Sequence, residues 1–533
     1  MAKFCYIYSP KRNFIQKSKE RVADILPSFG ERILMDGKDQ LLYVNNKNGV
    51  QHEKFNLKLG SFKPEFFSFQ LSADQNKIIA KSDLTASRTV WYYSDNNSLI
   101  ISDSQRAIIA LLGDFQLNKQ AVSWMLLSGC LGPGNSWDKR IKHLPPSTTL
   151  EYNKHTQSLN LLKYSSKNDN SSDLKSILSD IFKNFNSENA AITLSGGYDS
   201  RTSAFYLRKF NHQIPAYTWG IENSEKIVGT DSNIALKVAK SLKIDIQLLT
   251  LRPPENPEKK LFEFVEKSEG RIDHISSFIY DGNFWQNISQ SGIEAIIRSD
   301  EAFGWLKSKT EREARISLDY HNLSDYKNLN ELFDLTELPK PEYPRELVRL
   351  PDESVPTWRD RVYRNYRIPF VLSSLQEPIL PYMEIFNPLL AEPLIKWAQN
   401  RTDSERSDKN TYKELAGKLL PEIQIADIPS IPEPGKLARH PGMYKVIYNY
   451  IELNDTKIFP QKFKEHLLQN FKEIEDLSLE SRNSRLIKSI IPFWLKKVLR
   501  SKFLPYQLDY GRLALRVFII LKMQEIIEDD LKK

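Results

Sequence analysis

The pattern of apolar and polar positions divides the chain at a polar stretch, Ser165-Ser166-Lys167-Asn168-Asp169-Asn170-Ser171-Ser172, with the composition of a linker. Before it, runs of β-branched and aromatic residues at 77–80, 89–93 and 99–102 alternate with polar turns such as Ser94-Asp95-Asn96-Asn97, which predicts a mostly stranded segment. One helix is expected at 119–127 and a loop at 131–135. After it, Leu174, Ile177, Leu178, Ile181, Phe182 and Phe185 recur at helical spacing. A strand at 190–194, a helix at 201–210, a strand at 216–219, a helix at 231–242 and a strand at 246–249 follow. This alternation predicts a parallel sheet with helices on its faces. From about residue 310 the pattern is mainly helical, with proline-rich connections at 339–344 and 429–434. Two domains are therefore expected, over residues 1–165 and 173–533.

Composition narrows the class. Aromatic residues are 11% and hydrophobic residues 40% of 533, which excludes a disordered chain and supplies large cores. The net charge of +8 is thinly spread. The clearest basic cluster (Lys496, Lys497, Arg500 and Lys502, within an amphipathic stretch at 490–504) reads as a solvated helix face, so no nucleic-acid partner is expected. Cys5 and Cys130 are too few for a disulfide scaffold or a four-cysteine zinc site. The most apolar segment, 513–527, is broken by Arg516, Lys522 and Glu525, so no membrane span is expected. The first residues show no secretory h-region, and a cytoplasmic location is the expectation.

The chemistry concentrates where the strand at 190–194 runs into Ser195-Gly196-Gly197-Tyr198-Asp199-Ser200 and then a helix. Glycines tolerate φ > 0 and leave no side chain above the loop. Backbone N–H groups and the following helix N-terminus make a concave donor site for an anion, and Ser195 and Ser200 add hydroxyls. Asp199 is suited to hold Mg²⁺ against phosphate oxygens. The loop lies at the carboxyl end of a parallel strand, where open α/β sheets bind ligands. No Gly-Lys-Ser/Thr follows, which excludes a Walker loop.

This segment resembles the SGGxDS loop of the PP-loop ATP pyrophosphatases, and the chain as a whole resembles the asparagine synthetase family. Asp83-Leu84-Thr85-Ala86-Ser87-Arg88 with Val90-Trp91-Tyr92-Tyr93, Ser102-Asp103-Ser104-Gln105-Arg106-Ala107 and Ile141-Lys142-His143-Leu144-Pro145-Pro146 resemble motifs of the family's glutaminase-like domain. Gly229-Thr230-Asp231, Ser299-Asp300-Glu301-Ala302-Phe303-Gly304 and Pro381-Tyr382-Met383-Glu384 resemble motifs of its synthetase domain.

The resemblance implies an α+β, Ntn-hydrolase-like sandwich followed by an α/β PP-loop synthetase domain with a helical C-terminal part. It implies adenylation of a small-molecule or peptide carboxylate by ATP, then attack by an amine with release of AMP. A biosynthetic partner protein is compatible with that chemistry. Cofactor contacts are implied for Leu194, Ser195, Gly196, Gly197, Tyr198, Asp199, Ser200, Thr218, Trp219, Gly220, Ser299, Asp300 and Glu301, with Asp199 and Asp300 as Mg²⁺ ligands. Lys436 is the best match to the family's catalytic lysine, with Lys409 and Lys413 next, and Glu384 and Arg298 are further catalytic candidates. Two features depart from the family. The second residue is Ala2 rather than the cysteine of the glutaminase, which places the chain near glutaminase-deficient branches such as β-lactam synthetases and lasso-peptide cyclases. Ile297 stands where the family has a proton-transferring residue. A nucleotide-binding scaffold without catalysis and a tRNA-modifying PP-loop enzyme remain as alternatives.

Overall fold

The computed structural model describes residues 3–9, 22, 32–36, 38–43, 55–63, 65–96, 98–164, 173–183, 185–186, 188–278, 283–454, 458–474 and 507–532. The expected linker at 165–172 and the basic stretch at 490–504 lie outside the described residues.

The first part contains two antiparallel sheets. Strands β1 (Phe4–Tyr8), β2 (Arg32–Asp36), β3 (Asp39–Tyr43), β7 (Trp91–Ser94), β8 (Leu99–Ser102) and β9 (Lys142–His143) pair in the order β2-β3-β1-β8-β7-β9. Strands β4 (Asn56–Leu59), β5 (Phe69–Ala73), β6 (Lys77–Ser82), β10 (Thr148–Asn153) and β11 (Ser158–Lys163) pair in the order β11-β10-β6-β5-β4. Side chains alternate across a strand, and β1 is buried on both sides. Phe4, Tyr6 and Tyr8 pack with Phe69, Leu71 and Leu150 between the two sheets. Cys5 and Ile7 face helices α1 (Gln105–Leu112) and α2 (Lys119–Ser128). The first helix, absent from the sequence expectation, starts where the Ser104 side chain accepts from the Ala107 N–H and ends at left-handed Gly113.

The second part carries a parallel sheet in the order β14-β13-β12-β15-β16, from β12 (Ala190–Thr193), β13 (Ala216–Ile221), β14 (Ile246–Leu251), β15 (Ala295–Ile297) and β16 (Glu384–Phe386). The last two are three residues long, too short to show a period, and the sequence pattern does not find them. Register decides the site: Ala190 pairs with Ala295 and Ile192 with Ile297. The loops that follow β12 and β15 therefore leave the sheet side by side.

Helix α3 (Leu174–Lys183), helix α4 (Tyr198–Lys209) and helix α5 (Asp231–Leu242) pack on one face of this sheet through Leu178, Leu207 and Val238. The apolar segment near the C-terminus forms the long helix α9 (Tyr510–Lys532), which returns to pack on α1 and α2. The C-terminal helix thus packs against helices of the first part of the chain. Among the described residues no helix is long and apolar enough to cross a membrane.

The charges interrupting that helix have partners. Arg516 Nε donates to Asp273 Oδ2 at 2.7 Å, and its Nη1 donates to the carbonyls of Leu126 and Leu127. Burial pushes the Asp273 carboxyl up, but Arg516 and Arg512 hold it well below the usual carboxylate range. Removing one partner of a buried pair strands the other charge. Arg516→Met is expected to lower unfolding free energy by about 3 kcal/mol in chemical denaturation, the low end for a buried pair because Arg512 stays near Asp273. An unchanged midpoint would show that the pair contributes nothing.

Candidate functional site

Strand β12 ends at Thr193, and Leu194 to Gly197 turn the chain into helix α4. The helix has no side-chain cap: Gly197 is its N-cap, at φ −82° and ψ 175°. The first N–H groups of a helix have no intrahelical acceptor, and with no capping oxygen they remain donors for an anion. Ser195 and Ser200 brace the turn. The Ser195 N–H donates to Ser200 Oγ at 3.0 Å, and Ser200 Oγ donates back to the Ser195 carbonyl at 3.2 Å.

The glycines act differently from the sequence expectation, because neither adopts a positive φ. Gly196 is required by packing: a Cβ there would lie 2.3 Å from the Ala426 Cβ. Around Gly197 the space is open, and an added Cβ would meet only Ser195 Oγ at 3.5 Å.

A cavity of about 310 Å³ opens above the loop, at the carboxyl ends of β12, β13 and β15. Leu194, Ser195, Asp199, Ser200, Thr218, Trp219, Ser299 and Asp300 line it, as does Arg298. These sequence-predicted residues come from three separate segments. Asp231 also lines it, at the first position of α5, with its carboxyl pushed up by burial. The proline-rich connector supplies Ser430 and Ile431, which the sequence reading did not propose. The connector and the residues just before it are tied down by backbone pairing: the Ala426 N–H donates to the Gly196 carbonyl at 3.0 Å, and the Ile221 N–H to the Ser430 carbonyl at 2.9 Å.

The remaining proposed residues lie at or outside the margin. Gly196 is packed beneath Ala426, and Gly220 lets Ser224 and Ser430 approach, since a Cβ there would lie 2.1 Å from Ser224 Oγ. Tyr198 is the first residue of α4, and its ring faces the Lys413 ammonium at 5.9 Å. Glu301 is buried away from the cavity lining. Glu384 lines a different cavity, of about 170 Å³, together with Arg88 and Gln376. Its Oε1 accepts from Arg88 Nη1 at 2.7 Å, so its carboxylate is engaged in a buried ion pair. Lys436 lies on helix α8 (Pro434–Ala438), which packs against α9, and does not line the cavity above the loop.

The cation beside the loop is instead Lys409. Its Nζ lies 2.9 Å from Asp199 Oδ2 and 2.8 Å from Glu301 Oε1. Although burial opposes the charge, Glu301 and Asp199 hold this ammonium above its usual value. Burial pushes the Glu301 carboxyl up to about 7, against the pull of Lys409. The second cation, Arg298, spans both oxygens of Asp300, each at 3.2 Å, and Gln376 Nε2 donates to the same carboxylate at 3.1 Å.

Mg²⁺ can be tested against these groups. Asp199 Oδ1 is buried with no hydrogen-bond partner among the described residues, an acceptor suited to a hard cation. Asp300 is already compensated by Arg298. No group of three or more potential metal ligands occurs among the described residues. Asp199 is thus the group among these that could hold an Mg²⁺ ion, which needs few protein carboxylates.

The two glycines should separate packing from ligand space. Gly196→Ala must displace Ala426 and is expected to destabilise by about 1–3 kcal/mol. Gly197→Ala should cost under about 1 kcal/mol, the difference between glycine and alanine at an N-cap. Paired urea titrations check this, and equal losses would contradict the assigned packing.

No family model matches the chain and no curated protein matches it in sequence, so the functional reading rests on the residues and their geometry.

Proposed function

We propose that this protein is an ATP-dependent, AMP-forming amide-bond synthetase of the asparagine synthetase type. The observation that carries the reading is the uncapped helix N-terminus behind Ser195-Gly196-Gly197, opening into a cavity shared with Asp300. Such a terminus favours a phosphate chain, and the cavity gives it a floor at the carboxyl edge of a parallel sheet.

The chemistry follows from charge. A substrate carboxylate oxygen attacks the α-phosphorus of ATP, the α–β bond breaks, and pyrophosphate leaves. An amine then attacks the acyl carbon and AMP leaves. The loop N–H groups with Ser195 and Ser200 hold the departing pyrophosphate. Mg²⁺, when bound, neutralises phosphate charge. Lys409 fixes the Asp199 carboxylate, and Arg298 fixes Asp300; both act as positioning residues. Thr218 and Trp219 form the wall suited to the nucleoside.

The sandwich in front fits an Ntn-like domain without glutaminase chemistry. Cys5 is fully buried, and burial pushes its thiol up to about 12, which leaves no thiolate for attack at neutral pH. One observation favours a second reading, a nucleotide-binding scaffold: both acidic candidates are already neutralised by Lys409 and Arg298.

The reading is tested by ATP–pyrophosphate exchange in the presence of pooled carboxylic acids, with nucleotide products separated by chromatography. AMP and pyrophosphate are expected, and ADP as the main product would overturn the assignment. Asp199→Ala should reduce exchange by about 100-fold or more, the scale of losing one electrostatic stabiliser. Gly197→Ala should weaken ATP binding by about 10-fold or more, since a Cβ there occupies the space left for phosphate. ATP binding without exchange for any acid would favour the scaffold.

The two lysines give a further contrast. Lys409→Met should cut exchange strongly, whereas Lys436→Met should leave it within about twofold, given their places relative to the cavity. The reverse order would return the catalytic cation to Lys436.

A further inference from the structure

A second cavity, of about 160 Å³, lies beside the parallel sheet between helix α6 (Pro257–Ser268) and helix α7 (Phe284–Gln290). Its walls include Phe264, Phe278, Phe284, Trp285 and Tyr382. A cavity of about 150 Å³ with apolar walls takes one benzene-sized ring. This cavity therefore has the volume and the lining for a single aromatic ring.

Its polar groups are unbalanced in one direction. Lys259, Lys260 and Lys267 all share one carboxylate, Glu263, at 4.0, 3.3 and 3.8 Å. Of these, Lys260, Lys267 and Glu263 line the cavity, which leaves an excess of positive charge there. The Lys267 ammonium also sits 5.5 Å from the Tyr382 ring centroid. Trp285 is 94% buried, being 6% exposed, and its indole Nε1 has no acceptor among the described residues. A buried donor without an acceptor is costly, and a ligand oxygen would relieve that cost. Two lysine donors, one orphaned N–H and aromatic walls call for a planar apolar body bearing an anionic acceptor.

We propose that this cavity is a binding site for a small aromatic carboxylate. The ring lies among Phe264, Phe284 and Trp285, and the carboxylate accepts from Lys260, Lys267 and the Trp285 indole. The site adjoins the cavity above the Ser195–Ser200 loop through Trp219, which lines that cavity and packs edge-on against Phe284 and Trp285 at 5.5 and 5.9 Å. Binding here needs no ATP, so its test is independent of the ligase reading.

The probe is 3-phenylpropionate, titrated by calorimetry against the full chain, with 3-phenylpropanol as the uncharged counterpart. The acid is expected to bind saturably and at least about 10-fold more tightly than the alcohol, the scale of a charge-assisted hydrogen bond. The double variant Lys260→Gln/Lys267→Gln, which changes only partly exposed side chains, should bind the acid no better than the alcohol. Trp285→Phe keeps an aromatic wall and removes the N–H, and should weaken the acid by about 3–10-fold, the scale of one neutral hydrogen bond. Equal affinities for acid and alcohol, wild-type affinity for the acid in the double lysine variant, or no saturable binding up to about 10 mM, roughly 3 kcal/mol of binding free energy, would each overturn the proposal.

Discussion

The candidate site depends on one buried guanidinium. Arg201 sits on the first turn of α4, just beyond the Ser195–Ser200 turn, and is 1% exposed. Its nitrogens donate to the carbonyls of Ile423 and Gln424, each at 2.7 Å, with Leu420 at the edge of reach. No carboxylate pairs with it in that set. Three main-chain oxygens take the place of a counter-ion, and burial lowers its proton affinity accordingly. The result is mechanical: a segment more than two hundred residues away in sequence is fixed across the loop. Ala426 is then seated on Gly196, and Ser430 and Ile431 reach the cavity. The loop and its cover are thus set by the same helix.

A second set of buried charges joins the antiparallel sheets to the parallel one. Arg88 lies 2.7 Å from both Asp103 and Glu384, while Lys3 pairs with Glu377 at 2.7 Å and Arg271 pairs with the same carboxylate. Such groups contribute little net stability, because desolvation offsets attraction. What they impose is register, since losing any one partner strands a charge. Gln376 extends this layer to the site by donating to Asp300. The orientation of the Asp300 carboxylate therefore depends on residues at the junction as well as on Arg298.

Much of this was legible along the chain. The strands at 77–82 and 99–102, helix α2 and the alternation from β12 to β14 follow from apolar period and turn chemistry, which act over a few residues. The Ser195–Ser200 turn is legible for the same reason: strand, glycine pair and helix are contiguous. Its neighbours were partly legible. Asp300 carried a motif, but the role of Arg298 did not follow from its position, because a cation two residues from an aspartate can as easily hold that aspartate as a ligand.

The sequence determined the local devices: an uncapped helix start, two serines to brace it, and a glycine pair. Only the tertiary structure decided that Gly196 is there for Ala426, that Lys409 rather than Lys436 reaches Asp199, and that Glu384 is bound to Arg88. It also decided that the connector at 429–434 walls the cavity and that the C-terminal helix packs on α1 and α2 as well as on α8. Each of these is a pairing between residues far apart in the chain. Hydrophobic period and turn propensity are blind to such pairings, because they are fixed by burial and by the need to match every buried charge and backbone group.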